Sequence, residues 1–287
     1  MVRRIVQALF TLASNGYIKG FYEGRIYKGD IKKVCVPGLN CYSCPGAFGS
    51  CPIGSLQAVI GSMKYTFSFY VSGFLMLMGI VFGRFICGWL CPFGLFQDLL
   101  NKIPSKKVTV KGLWKNMKYL KYAVLAVFVV LLPLVMRDEL GISAPYFCKY
   151  ICPAGTLEGG LPLVLMNESL KSTIGWLSAW KTMLLVVTII SSIVVFRPFC
   201  RFVCPLGAIY SLFNKVSLYR LNVDEKACTS CGICESACKM GIKAYVEPNS
   251  PECIRCGDCI KSCPQGAIYR EDVVTIKTSH GKVNKVE

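Results

Sequence analysis

The segment RFICGWLCPFG at residues 84–94 is matched by RPFCRFVCPLG at residues 197–207, at a constant offset of 113 residues. Both segments contain an arginine, a C-x3-C pair followed by proline, and a final glycine. Upstream of each lies a second matched segment, CPIGSLQ at residues 51–57 and CPAGTLE at residues 152–158. Segments that recur in the same order predict two structurally equivalent halves.

Four apolar stretches alternate with these cysteine segments, at residues 5–18, 65–85, 119–136 and 182–196. A helix that crosses a bilayer needs about 20 mostly apolar residues, which the second and third stretches provide and the fourth reaches when extended back to residue 174. The first stretch is short, and its alternative interpretation is a cleaved signal peptide. The repeat favours a helix there, because the second half has a span in the equivalent place. We therefore expect an α-helical membrane protein with four transmembrane helices as two parallel repeats, related by a pseudo-two-fold axis along the membrane normal.

The composition also favours a membrane protein. Of the 287 residues, 53% are hydrophobic, and the mean hydropathy is +0.48, which is too apolar for a soluble domain of this size. The formal net charge is +17, but the basic residues flank apolar stretches instead of forming one face, which argues against nucleic acid as a partner. The single histidine, His280, lies in the polar C-terminal tail, so histidine-ligated haems within the membrane are excluded.

The distribution of basic residues predicts the orientation. They follow the second and fourth apolar stretches and are few between the third and fourth. By the positive-inside rule, both C-x3-C-P pairs and both termini of this multi-pass chain face the cytoplasm, and the cysteines of residues 35–51 and 148–152 face outward. Five basic residues of the first outer loop run against this rule: Lys19, Arg25, Lys28, Lys32 and Lys33.

The most specific motif is C-x2-C-x2-C-x3-C, which occurs twice near the C-terminus. Three cysteines at this spacing fit three corners of a 4Fe-4S cubane, and in two-cluster ferredoxins the last cysteine of each run ligates the other cluster. Zinc or disulfides suit the spacing less well. We expect one cluster on Cys228, Cys231, Cys234 and Cys263, and a second on Cys253, Cys256, Cys259 and Cys238.

The C-x3-C-P pairs of the two repeated segments, residues 84–94 and 197–207, predict a third cluster. Each pair places two sulfurs one helical turn apart, and the following proline can begin a helix whose positive N-terminal end favours an anionic cluster. Two cysteines from each half then provide four ligands at the cytoplasmic face. This inner set comprises Cys87, Cys91, Cys200 and Cys204. The alternative is four buried structural cysteines.

Six further cysteines form an outer group with three possible arrangements. The first is a cluster on Cys44, Cys51, Cys148 and Cys152, with Cys35 and Cys41 forming a disulfide or serving as alternate ligands. The second is a local cluster on Cys35, Cys41, Cys44 and Cys51. The third is disulfides alone, because this side of the membrane can be oxidising.

These motifs together resemble the NapH-type membrane polyferredoxins, which are related to the C-terminal part of NosR-like proteins. The resemblance covers residues 84–269 and rests on the two C-x3-C-P pairs and the eight ferredoxin cysteines. The outer cysteines Cys41, Cys44, Cys148 and Cys152 resemble a subgroup of these proteins from anaerobes. The resemblance implies a protein of the prokaryotic cytoplasmic membrane that passes electrons between a quinol pool and redox partners.

The expected organisation follows from these motifs. Residues 1–110 are membrane repeat 1 and residues 111–216 are membrane repeat 2. Residues 217–270 are a small α+β ferredoxin domain of the bacterial two-cluster type, and residues 271–287 are a tail. Gln97 and Glu158, beside cluster motifs, are candidates for hydrogen bonds to a quinone.

The expected function is electron transfer through four 4Fe-4S clusters, or three at the least. Electrons would pass between the ferredoxin and membrane clusters, to or from quinone or across the membrane to an extracytoplasmic redox protein. The basic segment 102–121 suits membrane lipid, or an acidic soluble ferredoxin, flavodoxin or other redox subunit on the cytoplasmic side. The alternatives are a NapH-like quinol dehydrogenase subunit without transmembrane transfer and a NosR-like redox sensor or regulator. No general base or nucleophile motif is evident, so we expect an electron-transfer subunit of an oxidoreductase complex.

Overall fold

A computed structural model of the chain describes residues 2–62, 68–108, 112–139, 141–172 and 174–271. In the first half, proline occupies the first turn of two helices, where its fixed φ is already helical and its missing N–H is not needed. The helices of this half are α1 Val2–Ser14, α2 Ile18–Glu23, α3 Pro52–Gly61, α4 Phe69–Phe82, α5 Phe85–Trp89 and α6 Pro92–Leu100, with a 3₁₀ turn at Asp30–Lys33.

The second half repeats the ending of the first, a short helix followed by a nine-residue helix that begins at proline. Two π-helical segments occur in this half, and each lies just before a proline, Pro133 or Pro162, whose ring would clash in a regular α-helix. The elements are a 3₁₀ helix Gly112–Tyr119, α7 Leu120–Val124, a π-helix Leu125–Leu131, α8 Leu132–Val135, α9 Tyr146–Tyr150, a π-helix Gly155–Gly160, α10 Leu161–Met166, α11 Glu168–Lys171, α12 Trp176–Val194, α13 Pro198–Phe202 and α14 Pro205–Phe213.

Two helical segments are long and apolar enough to cross a membrane, Asn116–Val135 with 20 residues and α12 with 19. They correspond to the third and fourth predicted spans. The first and second predicted spans correspond to α1, with 13 residues, and α4, with 14. Residues 65–67 of the second predicted span lie outside the described residues. Two of the four spans are therefore supported by length, and a total of four remains a prediction.

Helices α4 and α12 expose large apolar side chains. Phe69 and Leu77 of α4 are 77% and 57% exposed, and Trp176 and Ile190 of α12 are 84% and 58% exposed. Exposed apolar surface of this kind is typical of helices that contact lipid or a partner protein.

The main buried core contains the cysteines of both matched segments together with aromatic and aliphatic side chains. Phe93 and Phe199, one from each half, meet edge to face with ring centroids 5.2 Å apart. Tyr210 and Leu39 are also buried in this core, at 0% and 2% exposure. The buried cysteines in it are Cys35, Cys51, Cys87, Cys91, Cys152, Cys200 and Cys204.

The C-terminal unit is small and contains both helices and strands. Strand β1, Arg220–Val223, pairs antiparallel with β2, Ile268–Glu271, so that the two ends of the unit lie side by side. Between them lie two short helices, α15 Ile233–Ser236 and α16 Asp258–Ser262. Its own core consists of Leu221, Cys234, Ala244, Cys259 and Ile268.

Candidate iron–sulfur sites

Two small cavities in the C-terminal unit are each lined by four cysteines and have a volume of about 20 Å³. Each combines three cysteines of one C-x2-C-x2-C-x3-C run with the last cysteine of the other run. Both strands and both short helices bring the two runs together in this crossed arrangement. The first cavity contains Cys228, Cys231, Cys234 and Cys263, and the second contains Cys238, Cys253, Cys256 and Cys259.

The four inner cysteines lie together in the main core, each at most 6% exposed. Burial raises the pKa of Cys204 well above its usual value, and the neighbouring thiols of Cys200, Cys87 and Cys91 raise it further. Burial likewise raises the pKa of Cys91. Four thiols so close together cannot all ionise without a cation among them, which is the environment that a metal cluster provides.

Hydrogen-bond donors surround the inner sulfurs. The side chain of Gln97 donates from Nε2 to Cys200 Sγ at 3.0 Å, and the backbone N–H of Gly207 donates to Cys204 Sγ at 3.4 Å. Cys91 Sγ accepts from the backbone N–H groups of Leu39 and Gly94. Such donors stabilise thiolates and set the potential of a 4Fe-4S cluster, so these residues fit one.

Two buried arginines cross between the halves at this site. Arg84 of the first half donates from Nη2 to the carbonyl oxygen of Cys200 at 3.1 Å, and Arg197 of the second half donates to the carbonyl oxygen of Cys87. Both guanidinium groups are fully buried. Each arginine therefore fixes the backbone of the cysteine contributed by the other half.

Each buried arginine has a carboxylate partner. Arg197 binds both oxygens of Asp98 at 2.7 Å, and Arg84 binds Glu252 of the ferredoxin unit at 2.8 Å. Burial opposes the charged form of Arg197, but Asp98 outweighs this and raises its pKa. Burial also opposes ionisation of Glu252, yet the nearby Arg84 and a lysine lower its pKa. Arg197 and Glu252 therefore stay charged despite their burial.

The second ferredoxin site packs directly on the inner site. The carbonyl oxygen of Arg255 accepts from Trp89 Nε1 at 3.0 Å, and the carbonyl oxygen of Cys253 accepts from Asn214 at 2.9 Å. Lys121, the last residue of the predicted basic surface segment, is fully buried and pairs with Glu252. At least this lysine binds the chain's own ferredoxin unit and does not contact lipid or a soluble partner.

Replacing Gly88 with alanine is expected to loosen this contact. A Cβ atom there would lie 2.3 Å from the carbonyl oxygen of Ile254, so the ferredoxin loop must shift, at a cost of about 1–3 kcal/mol. Thermal unfolding and protease sensitivity of the ferredoxin unit measure the effect. Gly73→Ala is the matched control, because a Cβ there meets nothing within 4 Å and alanine is the better helix former by about 1 kcal/mol. Equal stability of the two variants would contradict the contact.

The outer cysteines lie around a separate, larger cavity. Burial raises the pKa of Cys148 to about 12, and the thiol of Cys51 adds to the shift. Burial raises the pKa of Cys152 as well, with contributions from Cys148, Cys41 and Cys51. Four outer thiols thus interact with one another. Five cysteines line the cavity: Cys35, Cys41, Cys51, Cys148 and Cys152.

The remaining outer cysteine, Cys44, does not line this cavity. Burial raises its pKa, and its sulfur accepts from the backbone N–H groups of Gly46 and Ala47. Cys35 lies 3.8 Å from the hydroxyl of Ser50. All 18 cysteines of the chain are free thiols, so Cys35 and Cys41 are not joined. The structure therefore places Cys41, and not Cys44, beside the other three outer thiols.

Two adjacent residues connect the outer group with the inner one. The backbone N–H of Leu39 donates to Cys91 Sγ of the inner group, and the next N–H, that of Asn40, donates to Cys51 Sγ of the outer group. Gly38 lies so close that a Cβ would be 3.0 Å from the Cα of Cys91. Two successive backbone N–H groups thus reach a thiol of each group.

Tyr210 lies in the same region. Its hydroxyl donates to the carbonyl oxygen of Pro37 at 2.9 Å. Burial raises its pKa well above the usual value, and the thiols of Cys87 and Cys51, one from each group, add to the shift. Tyr210 therefore faces both groups at once.

The two predicted quinone-binding candidates contact cysteines. Gln97 is fully buried and donates to a cysteine sulfur, as described above. The Glu158 side chain accepts from the backbone N–H of Cys41 at 2.7 Å, and burial raises its pKa to about 7. Its counterpart in the first half, Gln57, donates to Cys148 Sγ at 3.3 Å. Through these contacts Gln97, Glu158 and Gln57 help to hold the cysteines in place.

Sequence reasoning gave no role to several residues that shape these sites. Arg84 and Arg197 were visible as matched residues of the repeat, and that match was the available signal. Glu252 and Leu39 had no such signal, because their partners are more than 50 residues away in sequence.

Comparison with known proteins identifies the chemistry of these sites. One sequence profile, described as "4Fe-4S binding domain", matches residues 65–111, 140–161 and 179–223. Another profile with the same description matches residues 246–269. The matched residues include all four inner cysteines and the second ferredoxin run. No solved structure matches the chain.

Three relatives illustrate the range of similar proteins. An uncharacterized protein of Methanocaldococcus jannaschii is 32% identical over 68% of this chain and 74% of its own length. The methylamine utilization ferredoxin-type protein MauN of Paracoccus denitrificans is 27% identical over 90% of this chain and 83% of its own length. The regulatory protein NosR of Stutzerimonas stutzeri is 30% identical over 63% of this chain, which spans only 23% of NosR.

The grouped cysteines, the hydrogen-bond donors around them and the domain matches all indicate 4Fe-4S clusters. The chain binds 4Fe-4S clusters and is an iron–sulfur protein of electron transport. It belongs to the same family as the M. jannaschii protein.

Proposed function

We propose that the chain is a multi-pass membrane electron carrier in which four 4Fe-4S clusters lie in series. The observation that supports this most directly is the contact between successive thiol groups. The second ferredoxin site packs on the inner site through Gly88 and Ile254, and the successive backbone N–H groups of Leu39 and Asn40 reach a thiol of the inner group and a thiol of the outer group. Each bound cluster would supply one-electron redox chemistry.

The ligand assignment follows the thiol groups. The two ferredoxin clusters take the crossed sets that line their cavities, and the inner cluster takes Cys87, Cys91, Cys200 and Cys204. For the outer cluster we propose Cys41, Cys51, Cys148 and Cys152, because these thiols interact with one another. The protein's own residues bury the ligands, exclude water and aim N–H donors at the sulfurs.

The proposed electron transfer across the membrane rests on the path of the first outer loop. A hydrocarbon core is about 30 Å thick, and one electron hop over that distance would be slow. Leu39 belongs to the first outer loop, yet it is buried against the inner site. An outer loop that dips this far shortens the hop between the inner and outer clusters. In this arrangement a cytoplasmic ferredoxin, flavodoxin or other redox subunit would exchange electrons at the ferredoxin unit.

The relatives favour electron transfer over the other roles. MauN, a ferredoxin-type protein, aligns with nearly the whole chain, whereas NosR, a regulatory protein, aligns over a quarter of its own length. A NapH-like quinol dehydrogenase subunit remains the second candidate, because α4 and α12 expose apolar surface to which a quinone in the membrane has access.

Iron content with EPR of the reduced protein tests the proposal. Four clusters predict about 16 iron atoms per chain and four spin systems, and about 12 iron atoms would exclude the outer cluster. Cys41→Ser is expected to lose about four iron atoms and the outer signal. Cys44→Ser, a buried cysteine of the same loop, is expected to keep both. The reverse result would support the set Cys44, Cys51, Cys148 and Cys152 instead.

A further inference from the structure

The outer cavity is far larger than a single cubane requires. Its volume is about 890 Å³, whereas each ferredoxin cavity, lined by the four ligands of one cluster, has about 20 Å³. Small-molecule sites typically measure about 300–1,000 Å³. The outer cavity therefore has room for a cluster and for a further molecule of modest size beside it.

The cavity wall is positively charged. Lys28, Lys32 and Lys33 line it, and Lys28 and Lys33 are exposed. Lys33 also pairs with Asp30 at 2.7 Å, outside the lining. Among the described residues of its lining there is no aspartate or glutamate. These are three of the five basic residues that run against the positive-inside rule, so their place at the cavity offers a reason for them other than membrane orientation.

The inner part of the wall has polar groups that the protein itself leaves unpaired. The side chain of Asn40 is fully buried, and within the described part of the chain neither its amide nitrogen nor its carbonyl oxygen has a hydrogen-bond partner. A buried amide of this kind costs free energy unless something outside the protein binds it. Cys35 adds a fifth thiol to the lining, one more than a cubane needs.

We propose that a small anionic electron acceptor binds in this cavity and takes electrons directly from the outer cluster. The positive wall selects the charge of the acceptor, the cavity volume limits its size, and the ligands of the outer cluster form the floor. Each transfer moves one electron from the reduced cluster to the acceptor, with no bond made or broken and no proton transferred. The inference rests on the proposed function, because it requires the outer cluster.

The test uses a redox-inert anion as the probe. Reduced full-length protein is titrated with hexacyanocobaltate(III), and the EPR signals of the four clusters are followed separately. We expect a saturable change in the outer signal and no change in the other three. Hexaamminerhodium(III), a redox-inert cation of equal and opposite charge, is expected to leave the outer signal unchanged at the same ionic strength.

Charge variants locate the binding site. The double variant Lys28→Gln/Lys33→Gln is expected to raise the half-saturating probe concentration about tenfold, because two of the positive charges at the cavity are lost. The control is Lys19→Gln/Arg25→Gln, which removes the same charge from the same loop at residues outside the cavity lining, and we expect a change of less than about twofold.

Each outcome has a distinct meaning. An outer signal that does not respond to the anion, or that responds equally to anion and cation, overturns the acceptor site while leaving the four-cluster carrier intact. An iron content of about 12 with no outer signal overturns the proposed function itself. An iron content of about 20 also overturns the acceptor site, because a second cluster would then occupy the spare volume.

Discussion

Replacing Cys204 with serine should disconnect the ferredoxin clusters from the outer site. Cys204 is 4% exposed and interacts with the other three inner thiols. It immediately precedes α14, and the backbone N–H of Gly207 in that helix donates to its sulfur. Serine is a poor ligand for iron, so we expect the loss of the inner cluster and of about four iron atoms per chain. The gap between the second ferredoxin site and the outer site would then have to be crossed in one hop.

Vesicles with an impermeant acceptor on one side and a reductant on the other measure this transfer. With Cys204→Ser, the ferredoxin clusters should still be reduced by a cytoplasmic donor, while the outer cluster stays oxidised and the acceptor is not reduced. Cys44→Ser is the matched control, since it replaces another buried thiol that lies outside the proposed ligand sets. Transfer at the unaltered rate through Cys204→Ser would exclude the inner site from the route.

Replacing Arg197 with glutamine should strongly destabilise the core around the inner cysteines. The guanidinium group is fully buried and forms two 2.7 Å bonds with Asp98. In the variant, Arg3, at 3.1 Å, is the ion-pair partner that Asp98 keeps among the described residues, and the carbonyl of Cys87 loses the donor that Arg197 provides. Removing one partner of a buried ion pair costs about 3–5 kcal/mol. Thermal unfolding should show the loss, and the inner EPR signal should broaden or disappear.

A surface pair provides the control for this experiment. Lys171 and Glu168 are 3.3 Å apart with side chains 51% and 92% exposed, and breaking an exposed pair costs less than about 1 kcal/mol. Lys171→Gln should therefore unfold near the temperature of the unaltered protein. If Arg197→Gln did the same, the crossed arginines would not contribute to the stability of the inner site.

The local elements next to each cysteine motif were the most predictable part of the fold. A proline after C-x3-C predicts a helix that begins there, and α6 and α14 begin at Pro92 and Pro205. The grouping of the first three cysteines of each ferredoxin run follows from local spacing in the same way. These features depend on residues a few positions apart, so the sequence contains the information directly.

The arrangement between distant segments was not predictable from one sequence. Arg84 pairs with Glu252 across 168 residues, and Leu39 meets Cys91 because the first outer loop folds inward. No local sequence pattern predicts contacts between segments so far apart. The choice between Cys41 and Cys44 depends on the same loop path, since both lie in one short segment. The length of α4 also differs from the prediction: the helix begins at Phe69 and has 14 residues, whereas the sequence predicts a span over residues 65–85.

The crossed arginines have a consequence for how such a chain could arise. A single half contains two of the four inner thiols and one of the two arginines, but the carbonyl which that arginine binds belongs to the other half. One half alone would leave its arginine unsatisfied and its cluster with two ligands. Two copies related by a two-fold axis would complete each other. A symmetric dimer of such halves would therefore provide the same inner ligands and the same crossed arginine contacts as this single chain.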